Sequence, residues 1–134
     1  MAQVNVLLFN MEGDRLRKLR AALMVAKLRG ECVDKTRFSE SMGALAGGSE
    51  EAARLPSDVA ELEGFDPESG DFMEEMMVFC NVSRAQLDSA LLAMNRMGVK
   101  VGLKAILTPD NAAWSACALH YALTKERDAL NRRG

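Results

Sequence analysis

Short apolar runs that alternate with amphipathic segments constrain the fold of this chain most strongly. Residues 4–9 and 76–80 are almost continuously apolar, and each run is followed by a segment whose apolar residues recur at helical spacing. A continuous apolar run of this length is typical of a strand that is covered on both faces, as strands of parallel sheets are. The alternation therefore predicts an α/β fold.

Four strands and three helices follow from this pattern. The strands are predicted at 4–9, 32–38, 76–80 and 99–107, and the helices at 15–29, at 84–97 and after 109. Gly30 is suited to cap the end of the first helix. Ser83 and Gln86 have the spacing of a capping box at the start of the second helix. Thr108 and Pro109 have the residue types of an N-cap and a first helical position, so they predict the start of the last helix.

Two assemblies of these elements fit the order β-α-β, insertion, β-α-β-α. One is a small, mostly parallel sheet in the flavodoxin-like order 2-1-3-4, with helices on both faces. The other is a ferredoxin-like βαββαβ fold with an additional C-terminal helix. Three strands that are apolar on both faces favour the parallel sheet, in which all four strands would run in one direction.

The length of 134 residues fits one α/β domain spanning 1–134. Residues 39–75 are predicted to form an irregular acidic insertion within it, because this stretch is rich in turn-forming residues. Between 50 and 75 there are ten Asp or Glu residues and one Arg, whereas the sequence on either side is mildly basic. The overall net charge of −2 therefore hides an uneven distribution.

Composition also predicts a cytoplasmic protein without a metal or a cofactor. No apolar run approaches the length of about 18 residues that a membrane-spanning helix needs. The sequence has three widely spaced cysteines and one histidine, which are Cys32, Cys80, Cys117 and His120. This spacing does not favour a structural zinc site. Reduced thiols in a cytoplasm are the simplest interpretation of this pattern.

The second half of the sequence resembles a known family. Met77-Val-Phe-Cys-Asn-Val82, followed by a helical segment and by Leu103-Lys-Ala-Ile-Leu-Thr-Pro-Asp-Asn-Ala-Ala-Trp114, is similar to the bacterial family called domain of unknown function 3783. The resemblance covers residues 76–130 well, and the first half fits the longer members. It implies a bacterial cytoplasmic protein, and it implies no functional residue because the family has no assigned activity.

Polar residues follow the predicted strands and form the main candidate site. Asn10, Asn81, Thr108 and Asn111 would meet at one edge if the sheet were parallel, because ligands of α/β folds bind at the carboxyl ends of strands. The helix N-termini at that edge attract anions. Lys104 is added as a ligand-binding candidate because it lies within an apolar run. Helix capping explains the asparagines and the threonine equally well.

Cys80 gives an alternative, catalytic interpretation. It is the one thiol at a strand-to-helix junction, where a helix dipole can lower a thiol pKa and produce a nucleophile. The following residues, through Arg84, lack the glycines of an anion-binding catalytic loop, so a buried structural cysteine is the competing interpretation. Neither a dinucleotide-binding glycine motif, nor a P-loop, nor a nucleophile elbow is present.

The favoured hypothesis is a non-catalytic module that binds a partner protein, a second copy of itself, or a small anionic ligand. A basic stretch between Arg15 and Arg29 could meet nucleic acid, but no aromatic residues lie between its charges and no nucleic-acid motif is present. The sequence therefore disfavours nucleic acid as a partner. It leaves the ligand and the oligomeric state open.

Overall fold

A computed structural model describes residues 5–38, 42–45, 72–107 and 114–133. These residues form four strands, four α-helices and one 3-10 turn. In chain order they are β1 (Val6–Phe9), α1 (Gly13–Val25), β2 (Gly30–Cys32), the 3-10 turn (Lys35–Arg37), α2 (Met42–Leu45), β3 (Met76–Phe79), α3 (Arg84–Met97), β4 (Leu103–Ile106) and α4 (Ala116–Arg133).

The four strands form one sheet in the order β2-β1-β3-β4. The predicted α/β class, the strand order and the mostly parallel sheet are confirmed, since β1 pairs with β2 and β3 pairs with β4 in parallel. The expectation that all four strands run in one direction was wrong, because β1 and β3 are antiparallel. Both central strands are buried along their whole length, so their apolar sequences carry no information about direction.

Helices cover both faces of the sheet, as predicted. On one face, α1 and α3 pack against each other and against side chains of β1 and β3. On the other face, α2, Phe38 and α4 cover a second apolar cluster that includes Phe9 and Leu103. Alternate residues of β1 and β3 belong to different clusters, which follows from the alternation of side chains along a strand.

The caps of α3 are local and match the sequence. The Ser83 side chain accepts a hydrogen bond from the Gln86 amide, and the Gln86 side chain accepts one from the Ser83 amide. Gly98 ends the helix in the left-handed conformation, with φ of 72°. Glycine adopts this conformation without the steric cost that a β-carbon brings.

The end of α1 differs from the prediction. Lys27, with φ of 60°, is the left-handed residue, and Gly30 is the first residue of β2. A β-carbon on Gly30 would lie 2.9 Å from the Cδ1 atoms of Leu23 and Leu8, so close packing rather than capping favours glycine here. The strand predicted at 32–38 consequently lies at Gly30–Cys32, and the 3-10 turn follows it.

Several predicted features lie outside the described residues. These are the Thr108 and Pro109 cap of the last helix and most of the acidic insertion. The described part of the last helix begins at Ala116, where the Ser115 hydroxyl accepts a hydrogen bond from the Ala118 amide at 3.1 Å. Among the described helices, none is both long enough and apolar enough to cross a membrane.

Candidate binding site

The antiparallel central pair separates the predicted polar cluster. Because Val6 of β1 lies opposite Phe79 of β3, the carboxyl ends of these two strands are at opposite edges of the sheet. Asn10 therefore lies at one edge and Asn81 at the other. Thr108 and Asn111 lie outside the described residues. Among the described residues, the structure therefore separates Asn10 from Asn81.

Asn10 has a structural use for its side chain. Its amide nitrogen donates hydrogen bonds to the backbone oxygens of Phe72, at 2.8 Å, and Glu74, at 3.0 Å. Asn10 is also in the left-handed conformation, with φ of 61°. Asparagine is among the few residues other than glycine that adopt this conformation readily. The side chain thus holds the segment that leads into β3.

Glu74 joins the same segment to α4. Its carboxylate lies 2.7 Å from Arg127 Nη1 and 3.3 Å from His120 Nε2. The His120 ring stacks on Phe72, with ring centroids 4.1 Å apart and an angle of 8° between the planes. We call Phe72, Glu74, His120 and Arg127, together with Asn10, the strand anchor.

The electrostatics of the strand anchor fit a structural joint. The hydrogen bond from Arg127 is the main cause that lowers the pKa of Glu74, and the His120 contact adds to it. Burial against its neighbours is the main cause that lowers the pKa of His120, which favours the neutral ring. Sequence reasoning missed this cluster because Glu74 lies 46 residues from His120 and 53 from Arg127 in the chain.

A second polar contact fixes the start of β3 to α1. Arg15 Nε and Nη2 lie 2.9 and 2.6 Å from the two carboxylate oxygens of Glu75. Arg15 Nη2 also donates to the backbone oxygen of Lys100 at 2.6 Å. Arg15 of the basic stretch therefore joins α1 to the residue before β3 and to the loop before β4.

A pocket of about 310 Å³ lies where β1 and β2 end. Its lining residues are Asn10, Met11, Glu12, Cys32, Val33, Lys35 and Met73. Asn10 is the one described residue of the predicted anion site that lines this pocket, and its amide already donates hydrogen bonds to two backbone oxygens. Lys35 could attract an anion, but the Glu12 carboxylate would repel it. This pocket supports the predicted anion site poorly.

Cys80 lacks the features of a nucleophile. Its side chain is fully buried, and burial raises the pKa of its thiol to about 11. Its sulfur lies 3.7 Å from the backbone oxygen of Val78. Cys32 is instead the exposed thiol, with Arg20 Nη2 3.7 Å from its sulfur. Since the thiolate is the reactive form of cysteine, the surroundings of Cys80 argue against the catalytic interpretation.

We expect iodoacetamide to label Cys32 in the native protein and to label Cys80 only after unfolding. Burial both excludes the reagent from Cys80 and keeps its thiol protonated. Timed quenching followed by peptide mass spectrometry measures both rates in one sample. Native labelling of Cys80 that is faster than labelling of Cys32 would restore the nucleophile hypothesis.

The more informative surface is an open groove of about 410 Å³ between α3 and β4. It is lined by Leu91, Met94, Asn95, Val99, Lys100, Val101, Gly102 and Lys104. Lys104, the remaining predicted ligand-binding residue, donates from Nζ to the backbone oxygen of Val101 at 2.9 Å. We call this surface the α3–β4 groove.

The α3–β4 groove combines apolar surface with two lysines, Lys100 and Lys104. Leu91 is 37% exposed at the groove, and Ile106 is 54% exposed on the same face of β4 as Lys104. Among the described residues, no carboxylate lines the groove or forms an ion pair with Lys100 or Lys104. Within the described part of the chain, no three His, Cys, Asp or Glu side chains come together as a metal site would require.

The second half of the chain matches a known protein family. Residues 75–130 match a family described as Domain of unknown function (DUF3783), which confirms the resemblance seen in the sequence. This segment contains β3, α3 and β4, and hence both walls of the α3–β4 groove. No curated protein and no solved structure gave a match to the chain.

Proposed function

We propose that this chain is a non-catalytic binding module that docks an acidic, amphipathic segment of a partner protein in the α3–β4 groove. The observation that carries the proposal is the pairing of an apolar floor with two lysines that no described carboxylate neutralises. A complementary segment would place apolar side chains on the floor and carboxylates beside the lysines.

The shape of the groove favours a segment of a protein over a small metabolite. Sites for small molecules are concave and enclose most of the ligand surface. The α3–β4 groove is instead open, and exposed apolar side chains extend its floor on both sides, with Leu91 on α3 and Ile106 on β4. An extended or helical segment could contact both.

Charge decides the chemistry of the partner. Lys104 is anchored by the Val101 oxygen, which is neutral, so its ammonium charge remains available to a carboxylate. Lys100 is exposed beside it, and Arg15 is already paired with Glu75. Such complementarity contributes chiefly to specificity and to the association rate, and salt weakens it.

The proposed module acts in the cytoplasm. Cys32 and Cys80 are thiols, and no disulfide joins either of them to the rest of the described chain. An exposed thiol such as Cys32 persists in a reducing compartment. This supports the location that the sequence predicts.

Selection from a displayed library of random peptides tests the proposal. We expect the peptides retained by the full chain to be enriched in Asp or Glu next to apolar residues. The double variant Lys100→Glu and Lys104→Glu should weaken their binding by at least about tenfold, since two attractive contacts become repulsive. Fluorescence anisotropy at two salt concentrations measures both the loss and its electrostatic part.

Lys18→Glu and Lys27→Glu together form the matched control. Both lysines are exposed on or just after α1, outside the α3–β4 groove, and their exchange changes the net charge by the same amount. The control variant should retain most of the affinity. Selected peptides without acidic residues, or equal losses in the groove and control variants, would contradict the proposal.

A further inference from the structure

We infer that β1 to α2 and β3 to α4 are two copies of one β-α-β-α unit, and that the β1–β3 ladder with the α1–α3 contact is the surface by which one copy recognises the other. The inference rests on corresponding backbone conformations, packing positions and strand register. It concerns the contact between the two units, whereas the α3–β4 groove lies within the second unit, and Met94 of α3 borders both.

Backbone conformation gives the first correspondence. Asn10 after β1 and Lys27 after α1 are in the left-handed conformation, and so are Asn81 after β3 and Gly98 after α3. Both pairs are 71 residues apart (81 against 10, 98 against 27). The helices α1 and α3 begin at Gly13 and Arg84, which are separated by the same interval. Gly13, with φ of 66°, is left-handed in the first unit, whereas its counterpart Arg84 is not. The two units therefore turn from strand to helix, and leave the helix, at equivalent points.

Packing follows the same interval. The buried residues of α1 are Leu19, Ala22 and Leu23, and those of α3 are Ala90, Ala93 and Met94. Each of the second set lies 71 positions after its counterpart. After each helix, the amide of Leu28 donates to Leu23 O, and the amide of Val99 donates to Met94 O, both at 2.9 Å. The two helices thus present equivalent faces to the sheet and to each other.

The second strand and second helix of each unit also correspond, with a slightly longer interval. The amide of Val33 donates to Leu8 O at 2.9 Å, and the amide of Leu107 donates to Phe79 O at 2.8 Å. The helices α2 and α4 begin at Met42 and Ala116, 74 residues apart, as Val33 and Leu107 are. The connection from the end of α3 to the end of β4 is therefore three residues longer than the connection from α1 to the end of β2.

The register of the central ladder has the symmetry of a contact between two identical units. Leu7 lies opposite Val78, and these two positions are 71 residues apart, so each is the counterpart of the other. The counterpart of Val6 is Met77 and the counterpart of Leu8 is Phe79, so the pair Val6–Phe79 corresponds to the pair Leu8–Met77. A two-fold axis through the Leu7–Val78 pair therefore relates the units. This self-complementary arrangement is the one found in symmetric dimers.

The recognition surface is apolar and continuous. All residues of β1 and β3 are buried, and α1 packs on α3 on one face of the ladder. On the opposite face, the amide of Met42 at the start of α2 donates to Trp114 O, in the segment just before α4, at 2.8 Å. Within this chain, each unit thus has the other unit as its partner.

Divergence of side chains explains why the family match covers the second unit alone. Ser83 caps α3, whereas its counterpart Glu12 makes no capping hydrogen bond from its side chain to α1. Gly98 ends α3, whereas Lys27 ends α1 at the equivalent point. The first unit keeps the backbone conformation of the second, but its capping residues differ from those of the second.

Cleavage of the full chain between the units tests the inference. A protease site is inserted between residues 57 and 58, and the uncut insertion variant is first compared with the original chain. After cutting, we expect the halves to elute together at the uncut position with an unchanged circular dichroism spectrum. The urea midpoint of the cut protein should rise with protein concentration, because unfolding then also separates two chains.

A cut within a unit is the control. The same protease site placed after Gly102 separates β4 and α4 from β3 and α3, and it should lose native circular dichroism. Co-expression of the two halves as separate chains gives a second measurement if the insertion itself disturbs folding. Halves that elute separately, or a cut after Gly102 that is tolerated equally well, would overturn the inference.

Discussion

Replacement of Phe9 by alanine is expected to lower the free energy of unfolding by about 3–5 kcal/mol. The Phe9 ring is fully buried, and its centroid lies 5.3 Å from that of Phe38 and 5.8 Å from that of Phe72. Alanine would remove apolar contact with both rings and leave a cavity between the sheet and the helices that cover it. Because a small domain is stable by only about 5–15 kcal/mol, urea denaturation should show a clearly lower midpoint.

Leu130→Ala is the control for this substitution. Leu130 lies on α4 with 61% of its surface exposed, so its truncation should change the free energy of unfolding by about 0.5 kcal/mol or less. If the dependence of the unfolding free energy on urea concentration is the same for both variants, a change in the midpoint reports a change in stability. A loss for Phe9→Ala as small as that for Leu130→Ala would show that the aromatic cluster is not a core.

Local features of the fold were predictable from sequence because their causes are local. The capping box of Ser83 and Gln86 involves neighbouring residues, and its geometry in the structure is the one that the sequence predicts. The strand order 2-1-3-4 was also predictable, since consecutive strands joined through a helix pair in parallel and form compact units. Apolar periodicity and connection rules are enough for these features.

The direction of β1 relative to β3 was not predictable in this way. A strand that is buried on both faces has the same apolar sequence whether its neighbour is parallel or antiparallel. The direction is set by how two complete units meet, which depends on contacts between residues about 70 positions apart. The predicted gathering of Asn10 and Asn81 was wrong for this reason.

Of the residues that line the candidate site, the sequence predicted one. Lys104 is conspicuous in sequence because a lysine interrupts an apolar strand, and the structure places it in the α3–β4 groove. Leu91 and Lys100 gave no such signal, since an exposed leucine and a lysine in a loop are ordinary. Their importance arises from their positions around Lys104, which the tertiary structure alone defines.

Asn10→Ala is expected to lower the free energy of unfolding by about 2–4 kcal/mol. The substitution leaves the backbone oxygens of Phe72 and Glu74 without the hydrogen bonds that the Asn10 amide donates. It also places alanine in a left-handed conformation that asparagine tolerates better. Asn10→Gly separates the two causes, because glycine accepts the backbone conformation but cannot restore the hydrogen bonds.

Stability in the order wild type, then Asn10→Gly, then Asn10→Ala would establish that Asn10 serves the fold as part of the strand anchor. Asn10→Asp should also be destabilising, because a carboxylate has no hydrogen to donate to the two carbonyl oxygens. Urea denaturation of all four proteins measures the order. An asparagine kept for binding a ligand would behave differently: its replacement would leave stability nearly unchanged in the absence of that ligand. Unchanged stability in all three variants would therefore contradict the structural role and return Asn10 to the list of binding residues.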